Sequence, residues 1–434
     1  MEAQALDRTE LDELDEFAAP APEQNPGEHA LYGHSSLEDE RSRRRESTSV
    51  QSRAAPERLG VRVSGQLRVI SYLVFFSILG VLARLGLQAL SLYPGAPIAI
   101  AETWANVAGT FVLGFLREDQ LLFRSHQYAA SQDTHQDANS TQEIEAAAPS
   151  PTKAKAGQDS AKQAALTKKT AIPLYIGMTV GFCGTFTSFS SMIRDAFLAM
   201  SNDLNTAPTS SYTYTSQHRD RSAGYSVLAV LAVLYAEVSM SWIALKTGAH
   251  LAVAVQNLLN SLPSAKPKAT SGKFVELTFM ALAWCTWLGA VLMSIWPPYN
   301  RWRGQALFAI VFAPAGCVLR FYLSIKLNRV AISFPLGTFA ANILGTCVLG
   351  MAWDLQYSSL AIDTVGCQVL QGVEDGFCGA LTTVSTWVLE LDGLRTHHAY
   401  IYGACSLGLS LTLLTTIMGS LRWTEGFAAS SCTA

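Results

Sequence analysis

The segments GFCGTFTSFS (181–190) and GFCGALTTVS (376–385) share an unusual order of residues: two glycines three apart, then a run of hydroxyls, each inside an apolar stretch. Lipid offers no partner to backbone N–H and C=O groups, so backbone that opens at membrane depth must be buried in protein or line a cavity. Gly181, Gly184, Gly376 and Gly379 permit sharp geometry there. Thr185, Thr187, Ser188, Ser190, Thr382, Thr383 and Ser385 can take up freed backbone groups. Such patches also serve plain helix packing in membranes, but two matching ones favour a pore or ion site. Asn106 and Asn342 lie in mid-helix, where an amide needs a partner, and Tyr402, Ser406 and Ser410 recur every four residues, a polar stripe on one helical face. Tyr235 and Ser239 repeat two positions of that stripe, with Ile243 at the next. Amide N–H, hydroxyl O–H and the positive edge of a ring such as Phe189 can replace water around a small anion. Conduction also requires that the ion be able to leave. Arg84 and Arg320, cations within apolar segments, are functional candidates by their cost alone.

The elements that must position these residues are membrane helices. The chain has 434 residues, of which 49% are hydrophobic and only 15% charged, against about 25% charged in soluble domains. Apolar runs long enough to cross the hydrocarbon core, about 20 residues each, lie near 68–92, 97–116, 171–199, 223–246, 274–296, 304–325, 333–353, 366–390 and 399–421. The expected fold is therefore an all-α integral membrane protein of nine transmembrane helices. Residues 1–66 and 117–170 are polar and low in complexity, and read as a disordered tail and a disordered loop. The tail has no apolar core, so no cleavable signal peptide is expected before the first span. RSRRR at 41–45 with Arg58, Arg62 and Arg68 assigns the N-terminus to the cytoplasm; Arg219, Arg221, Arg301 and Arg303 count against that scheme. Of eight cysteines most fall in apolar runs without metal-type spacing, and are expected as free thiols.

The chain repeats itself. LGVLARLGL (79–87) matches AGCVLRFYL (315–323), and WANVAGTFVLG (104–114) matches AANILGTCVLG (340–350), with Asn following Arg by the same 22 residues in both copies. Residues 67–250 form the first four-helix repeat, 251–303 a linker with one transmembrane helix, and 304–434 the second repeat. Four spans return the chain to its starting side and the single linker helix crosses once more, so the second repeat is inverted. Inverted repeats place sites near the midplane, at broken helices, here the third helix of each copy.

Together, the first-helix Arg, the Asn-x-x-Gly-x-x-x-x-Gly, the Gly-Phe-Cys-Gly with its hydroxyls, and the Tyr with following serines resemble the CrcB/Fluc fluoride channel family. The fused, duplicated arrangement resembles its two-domain fungal fluoride exporter (FEX) type. The likeness covers about residues 68–425 outside the long loops. It implies a fluoride export channel, working as a single fused chain, in which F− crosses passively between two antiparallel halves. Asn106, Asn342, Phe189, Thr187, Ser188, Thr383, Tyr235, Ser239, Tyr402, Ser406, Ser410, Arg84 and Arg320 are the pore candidates. A structural Na+ at the pseudo-two-fold axis would be held by backbone carbonyls of Gly184, Thr187, Gly379 and Thr382. The family's Phe-x-x-Phe is altered in both copies, to Phe189 with Met192 and to Val384 with Trp387. This asymmetry leads to the expectation that one pore conducts and the other is degenerate. The plasma membrane is the expected location, with the lipid bilayer and fluoride as partners and no nucleic acid.

The rival reading is a proton-coupled fluoride antiporter or a small-multidrug-resistance-type exchanger, which needs a cycling intramembrane carboxylate in both halves. Glu237 is such a group, but aligned on the tyrosines it meets Ala404; a pairing of Glu237 with Arg84 is one account of it. No Ser, Cys or His stands with a base in a catalytic pattern, so an enzyme is not expected.

Overall fold

The first-copy fourth helix carries AVLAVLY and the linker helix carries LTFMALAWCTWLGAVLM, runs that are apolar on every face. A helix of that kind is stable only inside a large core or in lipid. The computed structural model describes residues 59–91, 100–119, 172–204, 222–260, 272–299, 302–360 and 363–428, with the isolated positions 93, 96, 98, 122, 123, 169 and 432. The described residues are helices joined by short turns, with no strand among them. They are α1 (Leu59–Ser91), α2 (Ala101–Glu118), α3 (Pro173–Ser201), α4 (Ala223–Asn260), α5 (Gly272–Ile295), α6 (Phe308–Leu327), α7 (Leu336–Tyr357), α8 (364–393) and α9 (Thr396–Thr424). Of the expected disordered tail, residues 1–58 lie outside the described residues, while 59–66 are helical and begin α1; the bulk of the 117–170 loop also lies outside the described residues.

The expected helices are all present, but the count of nine spans is not reached on length and hydropathy. Seven helices are long and apolar enough to cross a membrane. The other two have physical reasons to fall short: α2 carries Glu102, Arg117 and Glu118 within 18 residues, and α8 is cut into short pieces by its break.

Close approach of backbones holds each copy together. A Cβ at Gly114 of α2 would overlap the Leu245 carbonyl of α4, and one at Gly248 would overlap the Phe111 carbonyl, so the helix pair touches backbone to backbone. In the second copy Gly350 of α7 lies against Leu414 of α9. The first half of α3 packs on α1, where Gly181 meets Phe76 and Leu73; the first half of α8 packs on α6, where Gly376 meets Ala309. Small residues permit such contact, the usual basis of helix association in membranes.

The copies then exchange their broken helices. The second half of α3 (Phe189–Ser201) packs on α4 of its own copy and on α7 and α9 of the other, and the second half of α8 (Ser385–Gly393) packs on α9 of its own copy and on α2 and α4 of the other. The main buried cluster spans that exchange, joining Phe189, Met192, Ile193 and Phe197 of α3 to Leu349, Trp387, Tyr402, Leu414 and Met418. The linker α5 lies outside, stacking Phe279 on Tyr72 at 5.2 Å. Its Trp284 donates to Ser71 Oγ at 3.1 Å and its Trp287 to the Val311 carbonyl at 3.1 Å.

Two of the cysteines depart from expectation. Cys367 at the start of α8 and Cys432 near the C-terminus form a disulfide, because the tail turns back along α7, where Ala428 N–H donates to the Tyr357 carbonyl at 2.8 Å. Spacing of 65 residues gave no hint of that return.

Candidate functional site

Both third helices open just after their glycine pairs, not at them. Gly184 and Gly379 are helical, at φ −68° and −63°, and each follows a π-helical stretch, Gly177–Cys183 and Val373–Cys378. The extended residues are Thr187 (φ −100°, ψ 145°) with Ser188 (φ −135°, ψ 113°) in the first copy, and Thr382 (φ −91°, ψ 159°) in the second. The glycines instead make room for arginines of the opposite copy. The Arg84 guanidinium fills the space beside Gly379, and that of Arg320 the space beside Gly184. Arg84 is 1% exposed and donates to the Thr185 carbonyl at 3.0 Å and to the Asp375 carbonyl; Arg320 donates to the Val180 carbonyl at 2.7 Å. These two arginines therefore bind the crossing of the copies, and neither pairs with Glu237.

Each asparagine props open the break of its own copy. Asn106 Oδ1 accepts from Ser188 N–H at 2.9 Å, and Asn342 Oδ1 accepts from Thr383 N–H at 2.9 Å. In an unbroken helix those two N–H groups would bond the carbonyls of Gly184 and Gly379, four residues earlier. The side-chain amide thus takes the donor and releases the glycine carbonyl. With Thr187 and Thr382 extended, the crossing presents neutral carbonyl oxygens without a carboxylate, a donor type that suits a hard cation.

Hydroxyls fasten the two breaks together. Thr187 Oγ1 and Thr383 Oγ1 lie 3.2 Å apart, Thr187 Oγ1 and Ser385 Oγ 3.1 Å, and Ser190 Oγ and Thr382 Oγ1 3.0 Å. Ser188 caps the second half of α3 by accepting from Ser191 N–H at 3.2 Å. Thr187, Ser188 and Thr383 accordingly belong to the central crossing. Phe189 is fully buried beside them, its ring meeting Trp387 edge-on at 5.3 Å.

A polar track runs away from the crossing along α7 and α9. It contains Asn342, then Tyr402, Ser406 and Ser410, all buried on one face as their four-residue spacing predicts. The Tyr402 hydroxyl donates to Glu390 Oε2 at 2.8 Å, and Thr338 donates to Glu390 Oε1 at 2.9 Å. Ser406 donates back to the Tyr402 carbonyl at 2.7 Å. Ser410 Oγ is fully buried and finds no hydrogen-bond partner among the described residues. Because α3 reaches into the other copy, Phe189 of the first copy joins the buried cluster that contains Tyr402, whose own ring meets Phe334 edge-on at 5.1 Å.

The first-copy track is different, and two of its expected members are absent from it. Tyr235 is 79% exposed on the outer face of α4, and Ser239 lies on the same side, donating to the Tyr235 carbonyl at 2.6 Å. The buried polar residues of α4 are Glu237 and Ser241. Leu245 against Gly114 and Leu414 against Gly350 set the true register: eight residues before each leucine stand Glu237 and Ser406. The match on tyrosine was two residues out, and two residues turn a helix by about 200°, onto the opposite face. Glu237 accepts from Thr103 at 2.7 Å and from Asn106 Nδ2 at 3.0 Å. Glu102, fully buried one turn before Asn106, accepts from Gln88. Sequence reasoning missed Glu102, Thr103, Ser241 and Thr338; the signal available was the offset of four residues before each asparagine, where Glu102 and Thr338 correspond.

Outside the membrane segments, Lys169 closes the C-terminus of α2. Its Nζ donates to the carbonyls of Leu116 (2.5 Å), Arg117 (3.2 Å) and Asp119, and lies 5.3 and 5.1 Å from the ring centres of Phe123 and Tyr175. Burial pushes the ammonium down to about 8, against the opposing pull of Asp119 and Glu118.

Comparison with known proteins finds the same duplication. Residues 71–244 and 307–420, one block in each copy, match the family model described as CrcB-like protein, Camphor Resistance (CrcB). Fluoride export protein 1 of Neurospora crassa is 49% identical over 383 residues, covering 86% of this chain and 70% of that protein. Fluoride export protein 1 of Candida albicans is 32% identical over 378 residues, covering 82% and 81%. The fluoride-specific ion channel FluC of Chromobacterium violaceum is 35% identical over 124 residues, 28% of this chain but 95% of its own length, so one copy here equals a whole bacterial chain. No solved structure matches the chain.

Proposed function

The chain belongs to the CrcB family, and from that premise we propose that it is a fluoride export channel, passing F− down its gradient out of the cytoplasm. The observation that carries this reading is the second-copy track: a buried file of neutral polar side chains, Asn342, Tyr402, Ser406 and Ser410, in which the Ser410 hydroxyl finds no partner among the described residues. Fluoride is small and strongly hydrated, so its shell must be replaced by several donors at once. Neutral donors do this without the fixed charge that would trap the ion. Phe189, at the inner end of the track, adds a ring edge of positive polarity.

The carbonyls of Gly184, Thr187, Gly379 and Thr382 are the groups that would hold a structural Na+ at the crossing. The release of the two glycine carbonyls by Asn106 and Asn342 supports this; the guanidiniums of Arg84 and Arg320 beside the same glycines oppose it. Bound there, the ion would supply only electrostatic attraction between the two copies. The N-terminus is read as cytoplasmic and the membrane as the plasma membrane. Support comes from the Cys367–Cys432 disulfide, since disulfides persist on the oxidising side, which this orientation gives to the start of α8 and to the C-terminus.

A proton-coupled exchanger is not favoured. The bacterial relative that matches one copy over 95% of its own length is described as a fluoride-specific ion channel, and Glu237, the carboxyl in the middle of its span, has Ser406 as its counterpart in the other copy. The test is fluoride efflux from liposomes containing the purified chain. A fluoride current that follows the membrane potential and ignores a pH gradient is the expected result; obligatory proton movement would replace the channel by the exchanger.

A further inference from the structure

We propose that the first-copy track is shut by its own side chains, the carboxyls of Glu237 and Glu102 occupying the places a passing anion would need. This rests on the reading of the chain as a fluoride channel and adds which track is closed and by what.

The two tracks are built from equivalent positions. Glu102 and Thr338 each stand four residues before the break-holding asparagine, and Glu237 and Ser406 each stand eight before the leucine that meets the small residue of the neighbouring helix. Ser241 and Ser410 are likewise equivalent, both fully buried and without a partner for the hydroxyl among the described residues. The tracks also share an acidic residue at the end of the third helix, Asp195 and Glu390, so that position does not distinguish them. The difference lies at Glu237 and Glu102.

Glu237 is fully buried and uses both oxygens as acceptors, from Thr103 at 2.7 Å and from Asn106 Nδ2 at 3.0 Å. Amide N–H and hydroxyl O–H are the groups that would replace fluoride's water. In the first copy they are already spent on a tethered acceptor of the same charge type. Fluoride arriving there would have to displace a group that cannot diffuse away. No Lys or Arg nitrogen lies within salt-bridge distance of Glu237 or Glu102 among the described residues, so their charge is not cancelled by an ion pair. Ionised, the carboxyls repel an anion at close range; protonated, they still fill the donors. In the second copy the donors are also engaged, Thr338 and Tyr402 on Glu390 at the end of the third helix, Asn342 Nδ2 on the Thr383 carbonyl and Ser406 on the Tyr402 carbonyl, but none of them is held by an acid at the Ser406 position in the middle of the track.

Four chains reconstituted in liposomes test the proposal by fluoride efflux: the natural chain, the pair Glu102→Thr with Glu237→Ser, Ser406→Glu, and all three substitutions together. Opening a second route should raise the rate per protein about twofold, and Ser406→Glu should lower it at least tenfold. The triple combination should regain flux through the first copy. Equal rates in the natural and doubly substituted chains, with unchanged elution as an intact protein, overturn the closure of the first track. Should the double substitution fail to fold, full flux in a folded Ser406→Glu chain overturns it independently. A natural chain that moves no fluoride defeats the channel reading itself, and is distinguished from either result by that first measurement.

Discussion

The hydroxyls of Thr187 and Thr383, 196 residues apart in sequence and in opposite copies, stand 3.2 Å apart. Around that pair the two broken helices exchange serine and threonine hydrogen bonds, while Arg84 and Arg320 reach across to the backbone of the other copy. An interior made this way has polar groups that are costly to leave unpaired, and it yields specific expectations.

Replacing Arg84 by Lys shortens the reach and removes the fork that serves two carbonyls, those of Thr185 and Asp375. A lost hydrogen bond from a charged group costs about 1.5–3 kcal/mol. The midpoint of thermal unfolding in detergent should fall accordingly, and Arg84→Lys with an unchanged midpoint would contradict the anchoring role.

Gly114→Ala sets a methyl group onto the Leu245 carbonyl, and Gly376→Ala sets one onto the Ala309 backbone. Rigid neighbours cannot yield, so each should destabilise by about 1–3 kcal/mol, the usual cost of overpacking. Gly408→Ala meets nothing within 4 Å and serves as the neutral comparison. Folded yield and unfolding midpoint provide the measure.

Ser410 is buried and makes no protein hydrogen bond in the described structure, so Ser410→Ala removes an unpaired polar group and should leave stability unchanged or slightly raised. If its hydroxyl solvates the moving ion, loss of one donor, about 1.5 kcal/mol, should slow fluoride efflux roughly tenfold. Ser406→Ala should also slow it, whereas Ser239→Ala, on the outer face of α4, should not. Equal effects at positions 239 and 410 would remove the second-copy track from the mechanism.

Lys169 predicts a pH dependence. Its pKa in the fold, about 8, lies below the ordinary lysine value of 10.5, so between those values the unfolded chain binds more protons than the folded one. Stability should therefore rise with pH from about 8 to 10.5 and be flat in this term below 8. Lys169→Met should abolish that rise in an unfolding series across pH.

Cys367→Ser opens a loop closed over 65 residues, for which about 2–4 kcal/mol of stabilisation is typical. In intact cells, a membrane-impermeant reductant followed by an impermeant maleimide should label Cys367 and Cys432 from outside. Labelling only after permeabilisation would reverse the proposed orientation.

Much of this architecture was legible in residue order because its signals are local. Apolar length marks helices, the interval of 22 residues from Arg84 to Asn106 recurs from Arg320 to Asn342, and the stripe of Tyr402, Ser406 and Ser410 falls on one face by helical periodicity alone. The position of the break within GFCGTFTSFS was read less well. The glycines suggested the opening, but their role is to admit an opposing guanidinium, and the extended residues are Thr187 and Ser188.

Other features depend on contacts that no local pattern encodes. The inward face of α4 is decided by how closely Gly114 and Gly248 let it approach α2, and that turns Tyr235 outward and Glu237 inward. Which copy's ring meets which copy's track is decided by the crossing of α3 and α8. The pairing of Cys367 with Cys432 follows from the return of the tail along α7. Sequence by itself determined the helices, the duplication and the chemistry available, since these rest on composition and spacing. Tertiary structure alone decided which of those groups face one another, since packing selects one rotation and one partner for each helix from several that its sequence allows.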